Sequence, residues 1–357
     1  MLRRTGPSTS QFKVFITSCE VGRGAWTTNE EKLRHAHALS DKKYTLTENP
    51  QSADIILIGN VREEDWGKKI LKHELINKYP AKSFSLSEAD HPIILRHGIY
   101  ASGTKSIFNL RRVRTGSYTL YSDEYLNPYI KAHQISGPNS IKKEYLLTFI
   151  GRNTFSSRGL MKLRGTLFHL KFERPDIFIE DASTFNLWAR DKDAVNRPMR
   201  QQHYYEILLR SKFSLCPRGE GANSLRLFES MQLGVAPVIL SDRWILPRGP
   251  KWHEFSIVIK ERHIRDVEKI VQAHENDYKA MGDLARRSFE DYFSDRVYFN
   301  YIVDNCIDIM RGQVISEALC WRLNPLVISI LKMRQNVRSI ARFMRSGVKR
   351  LVLPQSK

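Results

Sequence analysis

Cysteine is scarce. Cys19, Cys216, Cys306 and Cys320 are the four present in 357 residues, and no two stand at C-x-x-C spacing. That argues against a disulfide framework, a zinc ribbon and a dithiol redox motif, and it favours a reducing compartment. Long apolar runs are missing too. No stretch approaches the ~18 consecutive apolar residues of a spanning helix, and Met1–Gln11 is basic and polar, without the apolar core of a secretory signal. These absences predict a cytoplasmic protein. No G-x-G-x-x-G follows the first predicted strand, which argues against NAD-dependent chemistry such as that of an epimerase. Zinc-finger spacing, an RNP motif and a helix-turn-helix signature are absent as well. Acidic residues are in deficit, 38 against 57 Lys and Arg, for a net charge of +19 and a pI of about 9.8. Such a balance suits an anionic partner: nucleic acid, membrane headgroups, or acidic sugars and nucleotides.

What is present is an alternation of strand and helix. Hydrophobic residues make up 41%, enough for a sizeable core, and the length suits two α/β domains. Short apolar strands are predicted at Lys13–Thr17, Asp54–Gly59, Lys82–Ser87 and Ile93–Arg96, with helices at Asn29–Leu39 and Trp66–Lys78. Residues 133–144 (H-Q-I-S-G-P-N-S-I-K-K-E) read as a linker. The pattern then begins again. Strands are predicted at Leu146–Ile150, Ile177–Ile179, Phe213–Cys216, Ala236–Leu240 and Ser256–Ile259. Helices are predicted at Leu160–Leu170, Gln201–Leu209, Ser224–Met231, Ile264–His274 and Tyr278–Asp291. Two successive α/β halves imply two Rossmann-like domains, 10–132 and 145–312, facing across a cleft. Residues 315–357 differ, with nine Lys/Arg and the single acid Glu317. Arg334, Arg338, Arg342, Arg345 and Lys349 recur at helical spacing, with Val337, Ile340, Ala341, Met344 and Val348 on the other side. That is a basic amphipathic tail, able to lie on an anionic bilayer or to form a solvated or packed face.

The chemistry concentrates in residues 213–229, F-S-L-C-P-R-G-E-G-A-N-S-L-R-L-F-E. A buried strand runs into a glycine-containing loop and then into a helix opened by Ser224. Glycines admit a phosphate close to the backbone, and the helix N-terminus offers free N–H groups and partial positive charge. Arg218 and Arg226 add charge-assisted donors suited to a diphosphate. Ser224 can cap the helix or donate to phosphate. Glu229 is placed to accept from ribose hydroxyls. On composition alone this remains compatible with an ordinary strand–turn–helix.

The stretch Phe213–Pro247, continuing through G-V-A-P-V-I-L-S-D-R-W-I-L-P, resembles the signature of the exostosin family of glycosyltransferases. Asn49–Asn60 (N-P-Q-S-A-D-I-I-L-I-G-N) is similar to the family's N-terminal element, with Asn60 and Val61 where a proline is usual. Phe149–Arg152 (F-I-G-R), followed by Arg158 and Arg164, is similar to the element that opens the second domain. The resemblance implies the two-domain GT-B arrangement and an inverting, metal-independent transfer from a nucleotide-diphosphate sugar, usually UDP-linked; the basic charge and the tail fit a glycan or lipid-linked acceptor. It implies that Arg218 holds the diphosphate, that Gly219 and Ser224 shape its pocket, that Glu229 binds the ribose and that Arg226 binds phosphate or braces the loop. Arg152 and Arg158 are cleft-facing candidates. The alternatives are a catalytically inactive scaffold of the same family and a basic nucleic-acid-binding protein.

Inversion calls for a base near the attacking hydroxyl. Asp90, His91 and His97 surround the predicted strand Ile93–Arg96, which should end at the cleft, and Glu20 follows the first strand. Asp191-Lys192-Asp193 spells D-x-D, but its polar context reads as a solvated loop. Trp244 and Trp252 are candidates for stacking on sugar or uracil, with packing the alternative.

Overall fold

The computed structural model describes residues 12–19, 29–59, 68–106, 111–118, 126–136, 141–153, 162–184, 196–326, 328–330 and 333. Branched apolar pentapeptides make the central strands. I-I-L-I-G and A-P-V-I-L are buried along their whole length, the pattern of strands covered on both faces. One sheet holds β1 (Lys13–Ser18), β2 (Thr45–Leu46), β3 (Ile55–Gly59), β4 (Ser83–Ser87), β5 (Gly98–Tyr100) and β6 (Val113–Arg114), in the order β2-β1-β3-β4-β5-β6. The other holds β7 (Tyr145–Gly151), β8 (Ile177–Asp181), β9 (Ser211–Pro217), β10 (Ala236–Leu240) and β11 (Ile257–Val258), in the order β11-β10-β9-β7-β8. Every neighbouring pair is parallel.

Parallel pairing requires crossovers. The helices include α1 (Asn29–Leu39), α2 (Lys68–Leu71), α3 (Glu74–Lys78), α4 (Pro128–Ser136), α5 (Lys162–His169), α6 (Arg197–Leu209), α7 (Leu225–Gln232), α8 (Trp252–Phe255), α9 (Val267–Gln272), α10 (Tyr278–Tyr292) and α11 (Asp295–Gly312), and 317–326 and 328–330 are helical as well. This is the predicted α/β class with two Rossmann-like sheets. Their cores are not separate. Val14, Phe84 and Leu86 of the first sheet share one apolar cluster with Phe228, Trp244, Tyr298 and Ile302.

Four expectations change. Residues 93–96 pair with no neighbouring strand; the chain enters the sheet only at β5. Residues 133–136 close α4 and so are not linker; 137–140 lie outside the described residues. The predicted second domain ends at 312, but α11 packs back on the first sheet. Arg114 Nη2 pairs with Asp308 at 2.6 Å, and Tyr301 donates to Thr115 O at 2.8 Å. The cause is its buried stripe Tyr298, Ile302, Cys306, Ile309, an i, i+4, i+8, i+11 row that needs an apolar partner. The segment predicted as tail begins the same way, because Ile328 is buried with Ile56, Ile58 and Ile70 on the outer face of the first sheet. The amphipathic pattern of 334–349 lies outside the described residues.

Candidate active site

In parallel sheets ligands collect beyond the carboxyl ends of the strands, and here the two sets of ends meet. Asp90 follows β4, Ser102 follows β5, and the loop Arg218–Asn223 follows β9. A β-carbon at Gly221 would sit 2.6 Å from Asp90 Oδ1 and against Ser102 Oγ, so only glycine fits that approach. Asn223 Nδ2 donates to Ala101 O at 3.1 Å, and Thr104 bridges Trp244. The glycine loop is thereby held between the domains.

On the other side of that loop opens a cavity of about 590 Å³, within the range of small-molecule sites. Its walls are the ends of β7 and β8 (Ile150, Gly151, Arg152, Glu180), α6 (Met199, Arg200, His203, Tyr204), Arg164 of α5, and the start of α7 (Ser224, Leu225, Arg226, Glu229). Four arginines line it. Its two carboxylates are already engaged: Tyr204 donates to Glu229 Oε2 at 2.8 Å, and His203 Nε2 lies 2.7 Å from Glu180 Oε2.

Arg226 is the centre of this wall. Its guanidinium lies 4.6 Å from the Phe149 ring centroid and 5.8 Å from that of Tyr204, and it donates to Ile150 O. Its buried Nε has no hydrogen-bond partner. A buried cationic donor left without a partner is costly, and Arg226 stands in the first turn of α7, where a helix N-terminus favours an anion. Arg164 lies 5.9 Å from the same Phe149 ring and donates to Arg218 O and Pro217 O. Burial, with Arg226 adding to it, lowers Arg164 to about 10, which leaves it charged at neutral pH. Gly219 rests against that guanidinium; a β-carbon there would come within 3.1 Å of Nη2. Ser224 is buried at the N-cap position but makes no side-chain capping bond. Burial raises the Glu229 carboxyl above its ordinary range, with Tyr204 and Arg226 acting the other way.

Other predicted residues are placed differently. Arg218 does not line the cavity. Its Nε and Nη2 fork onto Glu261 at 2.7 and 2.9 Å. Partial burial alone would raise the Glu261 carboxyl; the Arg218 fork outweighs it and the pKa falls below 4.5. His97 precedes β5 instead of following it, which puts it at the opposite end of the sheet from the cleft. It is 1% exposed, stacked 3.9 Å from Phe84, with Nε2 donating to Ser83 O at 2.8 Å. Burial pushes its imidazole down to about 4. It is a packed core histidine and cannot reach a substrate. Asp90 keeps contact with solvent beside the glycine loop, but the loop packed on its carboxyl takes water from it and this desolvation raises its pKa, with His91 opposing and Glu220 adding. Trp244 and Trp252 are buried and donate to Ala101 O and Pro247 O, so both pack. Arg152 is exposed at the cavity wall. Arg158, Glu20 and Asp191–Asp193 lie outside the described residues. Among the described residues no group of three His, Cys, Asp or Glu could hold a metal ion. Tyr204, Arg200 and the Glu180–His203 pair were not singled out from the sequence, where no local motif marks them.

A family model, the exostosin GT47 domain, matches residues 87–274. Exostosin-1 of Drosophila melanogaster is 29% identical over 194 residues, 51% of this chain and 25% of that protein. Exostosin-1b of Danio rerio is 25% identical over 194 residues, 51% of this chain and 26% of that protein. The chain thus spans about a quarter of the length of these curated relatives. Among solved structures, a glycosyltransferase from Rickettsia africae aligns over 85% of this chain and all of its own, at 10% identity and a TM-score of 0.35. WaaG, a glycosyltransferase involved in lipopolysaccharide biosynthesis, aligns over 84% and 100% at 10% identity and a TM-score of 0.31.

Proposed function

The chain belongs to the exostosin GT47 family, whose model spans just over half of it, and on that premise we propose that it is a glycosyltransferase using a nucleotide-diphosphate sugar, with UDP as the nucleotide. The observation that carries the reading is the arginine-lined cavity at the start of α7, where Arg226 and Arg164 stand with Ser224 and Glu229 and the buried Nε of Arg226 is left without a hydrogen-bond partner. A diphosphate seated there receives Arg226, Arg164, the Ser224 hydroxyl and the positive end of the α7 dipole. Glu229, held by Tyr204, offers a carboxylate to ribose hydroxyls.

The acceptor is a glycan or a lipid-linked sugar, entering from the Asp90 side of the glycine loop. Its hydroxyl attacks the anomeric carbon opposite the departing diphosphate, so the configuration inverts. The bond from that carbon to the phosphate oxygen breaks, the electron pair leaves with the diphosphate, and the hydroxyl proton passes to Asp90. Arginines and helix N–H groups stabilise the leaving charge, the larger contribution, and no metal is needed for this. The protein works in the cytoplasm in polysaccharide biosynthesis.

The test is turnover of a panel of UDP-, GDP-, CDP- and ADP-sugars with and without EDTA, followed by nucleotide release and by NMR of the product anomer. One nucleotide class should be turned over, unaffected by EDTA, with inversion. Absence of turnover with every donor, in protein that is folded, would overturn the reading in favour of a non-catalytic member of the family.

A further inference from the structure

Residues 317–326 and 328–330 are helical, and opposite faces of this segment carry apolar side chains. One face is docked on the first sheet. Glu317, Asn324 and Ile328 are buried, Trp321 Nε1 donates to Asn77 Oδ1 at 2.9 Å, and the Arg96 guanidinium lies 5.0 Å from the Trp321 ring. The other face points outward: Leu319 is 50% exposed, Leu323 48%, Leu326 60%, Ile330 44% and Met333 65%. Steps of four, three, four and three residues keep these within an arc of about 80° on a helix. A contiguous exposed apolar row of this kind marks an interaction surface.

Charge identifies what covers it. From Ile315 to the end the sequence carries nine Lys/Arg and one acid, Glu317. That acid is not available at the surface. Arg112 donates to both its oxygens, at 3.1 and 2.9 Å, and the His97 backbone N–H to one of them at 3.0 Å. Among the described residues of the segment the one exposed charged side chain is Arg322, which borders the row, and the sequence beyond it adds eight more Lys/Arg and no acid. A second copy of the chain would bring the same positive charge against it. An anionic bilayer offers both an apolar layer for the leucines and a negative surface for the basic residues.

We infer that this docked helix is a membrane-surface element. Its outward row sinks into the headgroup–acyl boundary of an anionic leaflet, while Arg322 and the basic sequence that follows supply the charge that meets the headgroups. The contact proposed is peripheral; no described helix is long and apolar enough to cross a membrane. Full-length protein should sediment with phosphatidylcholine–phosphatidylserine vesicles at least about tenfold more strongly than with phosphatidylcholine alone, and less at high salt. Leu323→Glu with Leu326→Glu should cut that binding at least about tenfold, while the melting temperature stays at the wild-type value because both side chains are exposed. If the double variant melts early, Leu323→Ser provides the milder comparison and should still weaken binding. Wild type that ignores anionic vesicles, or a folded variant that binds as wild type does, would overturn the inference. So would a wild-type dimer that the variant converts to monomer, which would make the row an interface between copies.

Discussion

Two residues of the same type, eight apart, show what a motif leaves open. Arg218 and Arg226 both belong to the loop-and-helix stretch, and either could be assigned to a phosphate from spacing. The structure separates them because Glu261, 43 residues downstream of Arg218, takes its guanidinium, whereas Phe149 and Tyr204 cradle that of Arg226. Neither partner is visible locally. His97 was misplaced for a related reason: once the chain at 93–96 stays out of the sheet, the histidine precedes a strand instead of ending one. Asp90 follows β4 and so falls at the carboxyl edge. Asp90→Asn should lower kcat by roughly 10²–10⁴, the usual worth of a general base, with nucleotide affinity unchanged; a loss confined to affinity would remove Asp90 from the reaction. A base must be deprotonated, and the Asp90 pKa is raised above 3.8. A pH–rate profile should therefore lose activity on acidification at a pH above that value, and the limb should vanish in the Asn variant.

At the scale of elements, strands and helices of the second sheet were legible because each is a continuous apolar run or stripe. Ala236–Leu240 matches its predicted bounds. The helices α4 and α11 went unread, and so did the docking of 317–330, since each owes its place to a distant surface. Glu317 is the peg of that docking. Burial alone would raise its carboxyl, but neighbouring His97 and the bonds from Arg112 outweigh this and the pKa falls below 4.5. The fold thus favours the charged form. Its contribution is complete above about pH 4.5 and is lost as pH falls through the lowered value. Glu317→Gln should cost roughly 1.5–3 kcal/mol at neutral pH, the worth of hydrogen bonds to a charged group. The difference in melting temperature from wild type should shrink towards zero as acidification passes through that lowered value. An undiminished gap at low pH would show that the charge is not what holds the segment.

Across the whole molecule, two half-chains that read as separate domains prove to share one core, with Phe84 and Leu86 in the same cluster as Phe228 and Trp244. Calorimetric unfolding should accordingly give one transition with matching calorimetric and van't Hoff enthalpies; two resolved peaks would mean that the shared cluster does not couple the halves. The same joining sets the glycine loop against Asp90 on one side, with the arginine-lined cavity on the other, and the proposed transfer rests on that placement. Its most direct test is titration calorimetry of UDP, GDP, CDP and ADP against wild type, Arg226→Ala and Arg218→Ala. We expect one nucleotide to bind wild type and Arg226→Ala to weaken it by about 10- to 150-fold, the loss of a charge-assisted bond of roughly 1.5–3 kcal/mol. Arg218→Ala, whose side chain serves Glu261, should weaken it less than about threefold, well under the cost of one such bond. No binding by any nucleotide, or a loss that follows Arg218 and spares Arg226, would contradict the donor site described here.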